Sequence, residues 1–271
     1  MSFKSSDIHN ALRKISDFGE VTLESPPDQP KRASVTLVIR VRPSSDDHLN
    51  ENESSSQIHP TNLAEFFDQE WVKKGTFEML FIKRAERKSD PWSAHVALPG
   101  GKRDPEDTDD RAAGERETLE EVGLDLRSEN FLYCGALEQR RVSTGMGKVL
   151  LLILCPYVFI YTGRSGPDLK TEPAEIGSAH WVPLSCLLDP EQRTYEKQDI
   201  SNRLGRRGGI FMRKLLYMSL GKMRFAAIKL APSESVFSDE TTREKLQNKN
   251  LLLWGLTLGV ITDFLRKLNQ K

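Results

Sequence analysis

Residues 149–161 (VLLLILCPYVFIY) form an unbroken run without a single charged side chain. The run is too short to cross a bilayer as a helix, and it contains Pro156. It is expected to be a buried strand. Residues 34–42 (SVTLVIRVR) alternate and are rich in β-branched side chains, and 76–85 (TFEMLFIKRA) form a second segment of strand character. Further strands are expected at 130–139, 179–183 and 223–230. Helices are expected over 8–18, 63–71, 110–122, 209–220 and 251–268, with another starting near Leu184. Strands and helices alternate and several strand pairs are close in sequence, so the fold class is α/β with a mixed sheet.

The pattern divides the chain into an N-terminal helix and linker (1–32, ending in the proline-rich SPPDQPKR) and a main domain (33–270). A polar, acidic insertion at about 43–60 interrupts the domain and offers almost nothing apolar to bury. Lys+Arg and Asp+Glu are equal at 39 each, so no global field attracts nucleic acid or an anionic membrane. Any anionic ligand must be held by local charges. Cys134, Cys155 and Cys186 are scattered, which argues against a disulfide framework or zinc site and for a reducing compartment. The first residues lack the apolar core of a secretory signal, and Asn269-Gln270-Lys271 is not a peroxisomal Ser-Lys-Leu ending. The expectation is a soluble, intracellular and most simply cytoplasmic protein, with no nucleic-acid or membrane partner. A homodimer is left open.

The chemistry concentrates in residues 98–126. Glu115, Glu117, Glu120 and Glu121 crowd into one predicted helix, although like charges three or four residues apart repel. At helical spacing Glu117, Glu120 and Glu121 share a face, and Glu115 is expected to point off it into solvent. A carboxylate stripe suits oxygen-seeking divalent cations, with Mg²⁺ the physiological default. Arg116 stands beside the stripe, where it can orient a carboxylate. Pro99-Gly100-Gly101 would bring bare backbone close to a bound ion. Gly114 sits inside the helix at a cost of about 1 kcal/mol relative to alanine. A solvated face is the ordinary explanation of a bare glutamate cluster.

This cluster is not bare. A Gly-Gly pair precedes Arg116-Glu117, and Gly123 follows the last glutamate. The arrangement of Gly101, Arg116, Glu117, Glu120, Glu121, Gly123 and Leu124 resembles the Nudix box, Gly-x5-Glu-x7-Arg-Glu-U-x-Glu-Glu-x-Gly-U with U apolar. Arg116 lies one residue further from Gly101 than in that pattern. Asp107 or Glu106 stands where the first glutamate belongs, and Thr118 replaces the first U. The longer loop and the preceding Val96-Ala97-Leu98-Pro99-Gly100-Gly101 resemble the coenzyme A pyrophosphatase branch, as does Leu253-Trp254-Gly255-Leu256-Thr257. That branch carries an Arg-Ser-x-x-Leu-Arg-x-His-x-Gly run upstream. Here Arg84 falls one residue out of register, Trp92 replaces the histidine and Ala94 the glycine.

The resemblance implies a Nudix fold, an α/β/α sandwich with a mixed central sheet, and hydrolysis of a nucleoside diphosphate linked to another group. Glu117, Glu120, Glu121 and the Gly101 backbone would hold Mg²⁺ or Mn²⁺, with Glu120, Arg116 and Glu117 in catalytic roles. Glu120 or an acid from the loop carrying Glu172 and Glu175 would take the proton from water. Arg84, Lys102, Arg103, His95 and Trp92 are the candidates for binding a small-molecule nucleotide substrate. For Trp92 a core position, and for His95 a surface or packing role, is the plainer reading. The basic segment 202–224 reads as a solvated helix face or an anion clamp. Residues 143–149 (STGMGKV) lack the pattern of a phosphate loop and read as a hairpin turn. Coenzyme A or an acyl derivative is the expected substrate. Housecleaning of other nucleoside diphosphate derivatives and a non-catalytic nucleotide-binding module are the alternatives.

Overall fold

Strand β1 (Arg32–Arg42) is the axis on which the rest of the chain is hung. The computed structural model describes residues 4–27, 31–44, 59–86, 94–143, 149–199, 222–247 and 249–269. Helix α1 (Ser5–Phe18) precedes β1, and α2 (Leu63–Asp68) and α3 (Glu70–Lys74) follow it. Next come β2 (Thr76–Arg84), β3 (Val96–Ala97), β4 (Gly100–Lys102), α4 (Asp110–Val122), β5 (Phe131–Ala136), β6 (Arg140–Ser143) and β7 (Leu150–Tyr161). The chain closes with β8 (Ile176–Pro183), α5 (Leu184–Leu188), β9 (Arg193–Asp199), β10 (Lys222–Leu230), β11 (Glu234–Phe237), α6 (Glu240–Leu246), β12 (Leu251–Trp254) and α7 (Gly255–Asn269).

Among the described residues, the main sheet has the order β11-β8-β2-β1-β7-β5, with β3 on β2, β4 on β1 and β6 on β7. β1 and β7 are parallel and the other pairs antiparallel, so the sheet is mixed. Alternation along the strands separates two apolar layers. Leu37 and Ile39 of β1 face a core shared with Ile8, Leu12, Phe66 and Phe264 from helices α1, α2 and α7. Val38 faces the opposite core with Leu80, Val122 and Trp181, under the end of α4. Helices therefore cover both faces, giving an α/β/α sandwich with a mixed central sheet. A smaller sheet, β12-β10-β9, lies beside it.

Helix α4 has the predicted bounds because both ends are chemically marked. The Asp109 carboxylate accepts the Ala112 N–H at 2.7 Å, and Gly123 adopts the left-handed conformation (φ 75°) that closes the last turn. Other elements differ from expectation. The segment 63–71 divides into α2 and α3. The closing helix starts only at Gly255, because Leu251–Trp254 pair with β10 and the positive φ of Gly255 (65°) turns the chain. The strand expected at 130–139 stops at Ala136. Strands β3, β4, β6, β9 and β11 and helix α6 are elements that the hydrophobic pattern does not predict. β6 and β7 pair antiparallel on either side of the predicted 143–149 turn. The helix expected at 209–220 lies outside the described residues, as do 45–58 of the polar insertion. Among the described residues, no helix is long and apolar enough to cross a membrane.

Candidate active site

β4 is positioned by β1, whose residues Ala33–Val35 pair with Lys102, Gly101 and Gly100. Gly100 has φ 137°, and a Cβ there would run into the Ser34 carbonyl, so the close approach depends on glycine. Helix α4 lies across the same part of β1. A Cβ at Gly114 would meet Thr36 Cγ2 at 3.2 Å and Ser34 Cβ at 3.3 Å. The glycine inside the helix is thus explained by close helix–strand packing. Ser34 Oγ donates to the Asp110 carbonyl at 2.5 Å, and the Thr36 and Thr118 hydroxyls are 2.7 Å apart. Thr118 replaces an apolar residue of the box because it faces another buried hydroxyl. At the helix start, Arg32 donates from Nε to both Asp110 oxygens at 2.9 and 2.8 Å.

The glutamates of α4 fall into distinct environments. Glu121 is only 2% exposed, and its carboxylate accepts the Gly100 N–H at 2.8 Å. Burial pushes this carboxyl up to about 8. The Gly100 hydrogen bond and the Arg84 charge oppose the rise, while the Glu117 and Glu175 charges add to it. Burial likewise raises Glu117, against the pull of Arg116. Glu120 lies further out, with 57% of its side chain exposed. The expected common stripe is therefore graded from buried to exposed. Glu115 corrects its prediction more sharply. Its side chain is 11% exposed and pairs with Arg127 at 2.8 Å and Arg111 at 3.4 Å.

Arg116 joins the box loop to the acids. It donates to Asp107 through Nε and a terminal nitrogen, both at 3.0 Å, to Glu120 at 3.0 Å and to Glu117 at 3.2 Å. It also donates to the Lys102 carbonyl at 3.1 Å. These hydrogen bonds hold the Asp107 carboxyl below the usual carboxylate range. Of the two acids near the vacant box position, Asp107 is the one that grips Arg116.

The substrate-binding candidates are placed unevenly. Arg84 ends β2, and its charge acts on Glu121. Lys102 is exposed at the end of β4. Arg103 donates to Asp110 at 3.4 Å and to the Asp107 and Thr108 carbonyls at 3.3 and 3.1 Å, which ties it to the box loop. The His95 ring packs edge-on against Trp254 with centroids 5.0 Å apart. Trp92 lies outside the described residues, as do 202–221 of the basic segment. The loop with Glu172 and Glu175 is drawn in by the Glu172 N–H donating to the Glu121 carbonyl at 3.1 Å and the Ala85 N–H to the Glu175 carbonyl at 2.7 Å. The Glu175 charge reaches both Glu117 and Glu121. Sequence reasoning missed the Arg32–Asp110 pair, whose partners are 78 residues apart.

The donor set fits a hard divalent cation. Its side chains are all carboxylates, two of them desolvated more than Arg116, Arg84 and the Gly100 N–H offset, beside glycine backbone. A Cβ at Gly101 would overlap the Glu117 carboxylate, so the space beside that acid depends on glycine. Among the described residues, no three His, Cys, Asp or Glu groups already converge on one point. Glu120 is turned to Arg116, and Glu121 to Gly100.

The family model for the NUDIX domain matches residues 71–203, a span that contains β4, the box loop and α4. The matched span is thus similar to the Nudix family, and the chain resembles that family's coenzyme A diphosphatase branch. It is 34% identical over 235 residues to an uncharacterised protein of Schizosaccharomyces pombe, covering 86% of this chain and 65% of that protein. It is 49% identical over 137 residues to the peroxisomal coenzyme A diphosphatase NUDT7 of Mus musculus, covering 47% of this chain and 49% of that enzyme. The chain thus spans less than two thirds of the length of these relatives. A solved MutT/nudix family protein from Enterococcus faecalis aligns with a TM-score of 0.41 at 11% identity, covering 100% of this chain and 76% of that one.

Proposed function

We propose that the chain is a divalent-metal-dependent pyrophosphohydrolase that cleaves coenzyme A or acyl-coenzyme A, giving 4′-phosphopantetheine (or its acyl form) and adenosine 3′,5′-bisphosphate. The observation that carries the hydrolase reading is buried Glu121 and half-buried Glu117 set against the Gly100-Gly101 backbone. The identity with the mouse coenzyme A diphosphatase supports the choice of substrate.

Glu117, Glu120 and Glu121, with the Gly101 backbone, would hold Mg²⁺ or Mn²⁺. When bound, such an ion neutralises pyrophosphate oxygens and lowers the pKa of a coordinated water. Arg116, anchored by Asp107, fixes where the Glu117 and Glu120 carboxylates can stand. Glu120 or Glu175 takes the proton from the attacking water, both being acids whose charge reaches Glu117. Arg84 supplies positive charge on the same side, and exposed Lys102 is available to a further phosphate.

Turnover of coenzyme A, its 3′-dephospho form and ADP-ribose with Mg²⁺ or Mn²⁺ tests the reading. A charge-assisted contact to the 3′-phosphate should favour coenzyme A over the dephospho form by roughly tenfold or more in kcat/KM. Equal turnover of the two, or a preference for ADP-ribose, rejects the coenzyme A assignment. No turnover of these, of nucleoside triphosphates or of dinucleoside polyphosphates with either metal rejects the hydrolase.

A further inference from the structure

The same strand end that presents Arg84 to the acids carries a second polar cluster on its other face. Side chains alternate along β2, so Lys83 projects opposite to Arg84. Lys83 is 7% exposed and lies directly across from Ser178 of β8. Next along β8 is His180, buried at 2%, with Nε2 2.8 Å from Ser178 Oγ and Nδ1 2.8 Å from Ser235 Oγ. Burial, with Lys83 nearby, pushes this imidazole down to about 4, so it links the two hydroxyls as a neutral ring.

Over this row opens a cleft of about 350 Å³ whose polar lining is His180, Ser235, Lys229, Lys249, Gln247 and Asn250, the rest of its wall being leucine, proline and phenylalanine. The Lys249 charge reaches Lys83, and Glu86 is the acid that opposes it there. Among the described residues, no carboxylate forms an ion pair with Lys83, Lys229 or Lys249. The Lys229 and Lys249 ammonium groups, a hydroxyl and two side-chain amides therefore line one open cleft, with the Lys83 charge close to that of Lys249. Like charges gathered this way repel unless an anion is shared among them.

We propose that this cleft is a binding site for a phosphate dianion, either inorganic phosphate or the phosphomonoester of a nucleotide, separate from the acidic site. A dianion with several oxygens matches multiple donors better than a single carboxylate does. The inference rests on the cleft alone and is independent of the hydrolase reading.

Calorimetric titration of the full chain with inorganic phosphate, and separately with adenosine 3′-monophosphate, tests it. EDTA and constant ionic strength keep metal-borne phosphate out of the acidic site. Binding of at least one probe is expected, weakened about tenfold by Lys249→Ala and again by Lys229→Ala. Both lysines are exposed, so folding of these variants does not obscure the result. Tighter nucleotide binding with the same lysine dependence supports the site and assigns the monoester as its ligand. Equal binding of the two supports the site and assigns the phosphate group alone. No binding by the wild-type chain, or unchanged affinity in both variants, overturns the site. Mg²⁺-dependent turnover is read separately, because neither lysine belongs to the acidic site.

Discussion

The Glu121 carboxylate accepts the Gly100 N–H at 2.8 Å, so the last turn of α4 is tied to the strand that precedes the box loop. A buried acid held by one backbone donor carries charge at the expense of folding.

That contact separates charge from shape at Glu121. Glu121→Gln retains an acceptor for Gly100, so the fold should persist while metal-dependent turnover falls near background. The pH dependence follows from the raised carboxyl. Between the ordinary carboxylate range and about 8 the folded chain keeps a proton that the unfolded chain has released. Metal-free stability from this group therefore declines as pH rises through that window, by up to about 1.4 kcal/mol per unit. Glu121→Gln removes the decline, so in EDTA the variant should gain on wild type from pH 5 to pH 8. Urea unfolding at both pH values checks this, and an unchanged difference would reject a strained buried carboxyl.

Divalent cations should act in the opposite sense. Ions binding the folded acids stabilise by mass action, so Mg²⁺ or Mn²⁺ should raise the melting temperature, most at pH 8. Calorimetric scans with and without EDTA measure the shift. It should shrink in Glu121→Gln, and an equal shift in the variant would place the ion elsewhere.

Asp107 holds Arg116 through two hydrogen bonds of 3.0 Å. Asp107→Ala should let the guanidinium settle on Glu117 and Glu120, lowering kcat about tenfold to a hundredfold with little change in KM. Asp107→Glu should recover part of the loss. Steady-state kinetics decides, and an unchanged kcat for Asp107→Ala would show that the anchor is dispensable.

Gly101 and Glu115 make a contrasting pair. Gly101→Ala puts a methyl group into the Glu117 carboxylate and should weaken metal-dependent turnover strongly. Glu115→Gln loses pairs to Arg111 and Arg127 away from Gly100 and should cost no more than about 1 kcal/mol, with kcat retained. Activity and unfolding assays on both variants test the assignment. A large kcat loss in Glu115→Gln would show that the helix presents a different face to substrate.

Much of this site was legible because its signals are local. The acidic residues ahead of α4 and Gly123 behind it mark the helix, and Glu117, Glu120 and Glu121 follow from spacing along it, whereas the capping role of Asp109 appears only in the structure. What was not legible depends on partners distant in sequence or on ambiguous apolar runs. Burial of Glu121 needs β4, and the pairing of Glu115 with Arg127 needs α4 packed beside the loop that carries that arginine. Arg32 reaches Asp110 only after β1 is laid under α4. Leu251–Trp254 is apolar enough for either a core helix or a strand, and only pairing with β10 decides. That the Glu175 charge reaches Glu117 and Glu121 depends on how its loop lies against α4, which spacing in the sequence does not encode.

The grip of Asp107 on Arg116 shows how reach can be divided between main chain and side chain. Aspartate is one methylene shorter than glutamate, and the segment from Gly101 to Arg116 is one residue longer than the family pattern. Loop length and acid length are therefore exchangeable ways of spanning the same gap. A search template with rigid spacing would pass over this chain, whereas one that lets a shorter acid accompany a longer loop would retain it. Lengthening the acid here without shortening the loop should crowd the guanidinium rather than improve its hold.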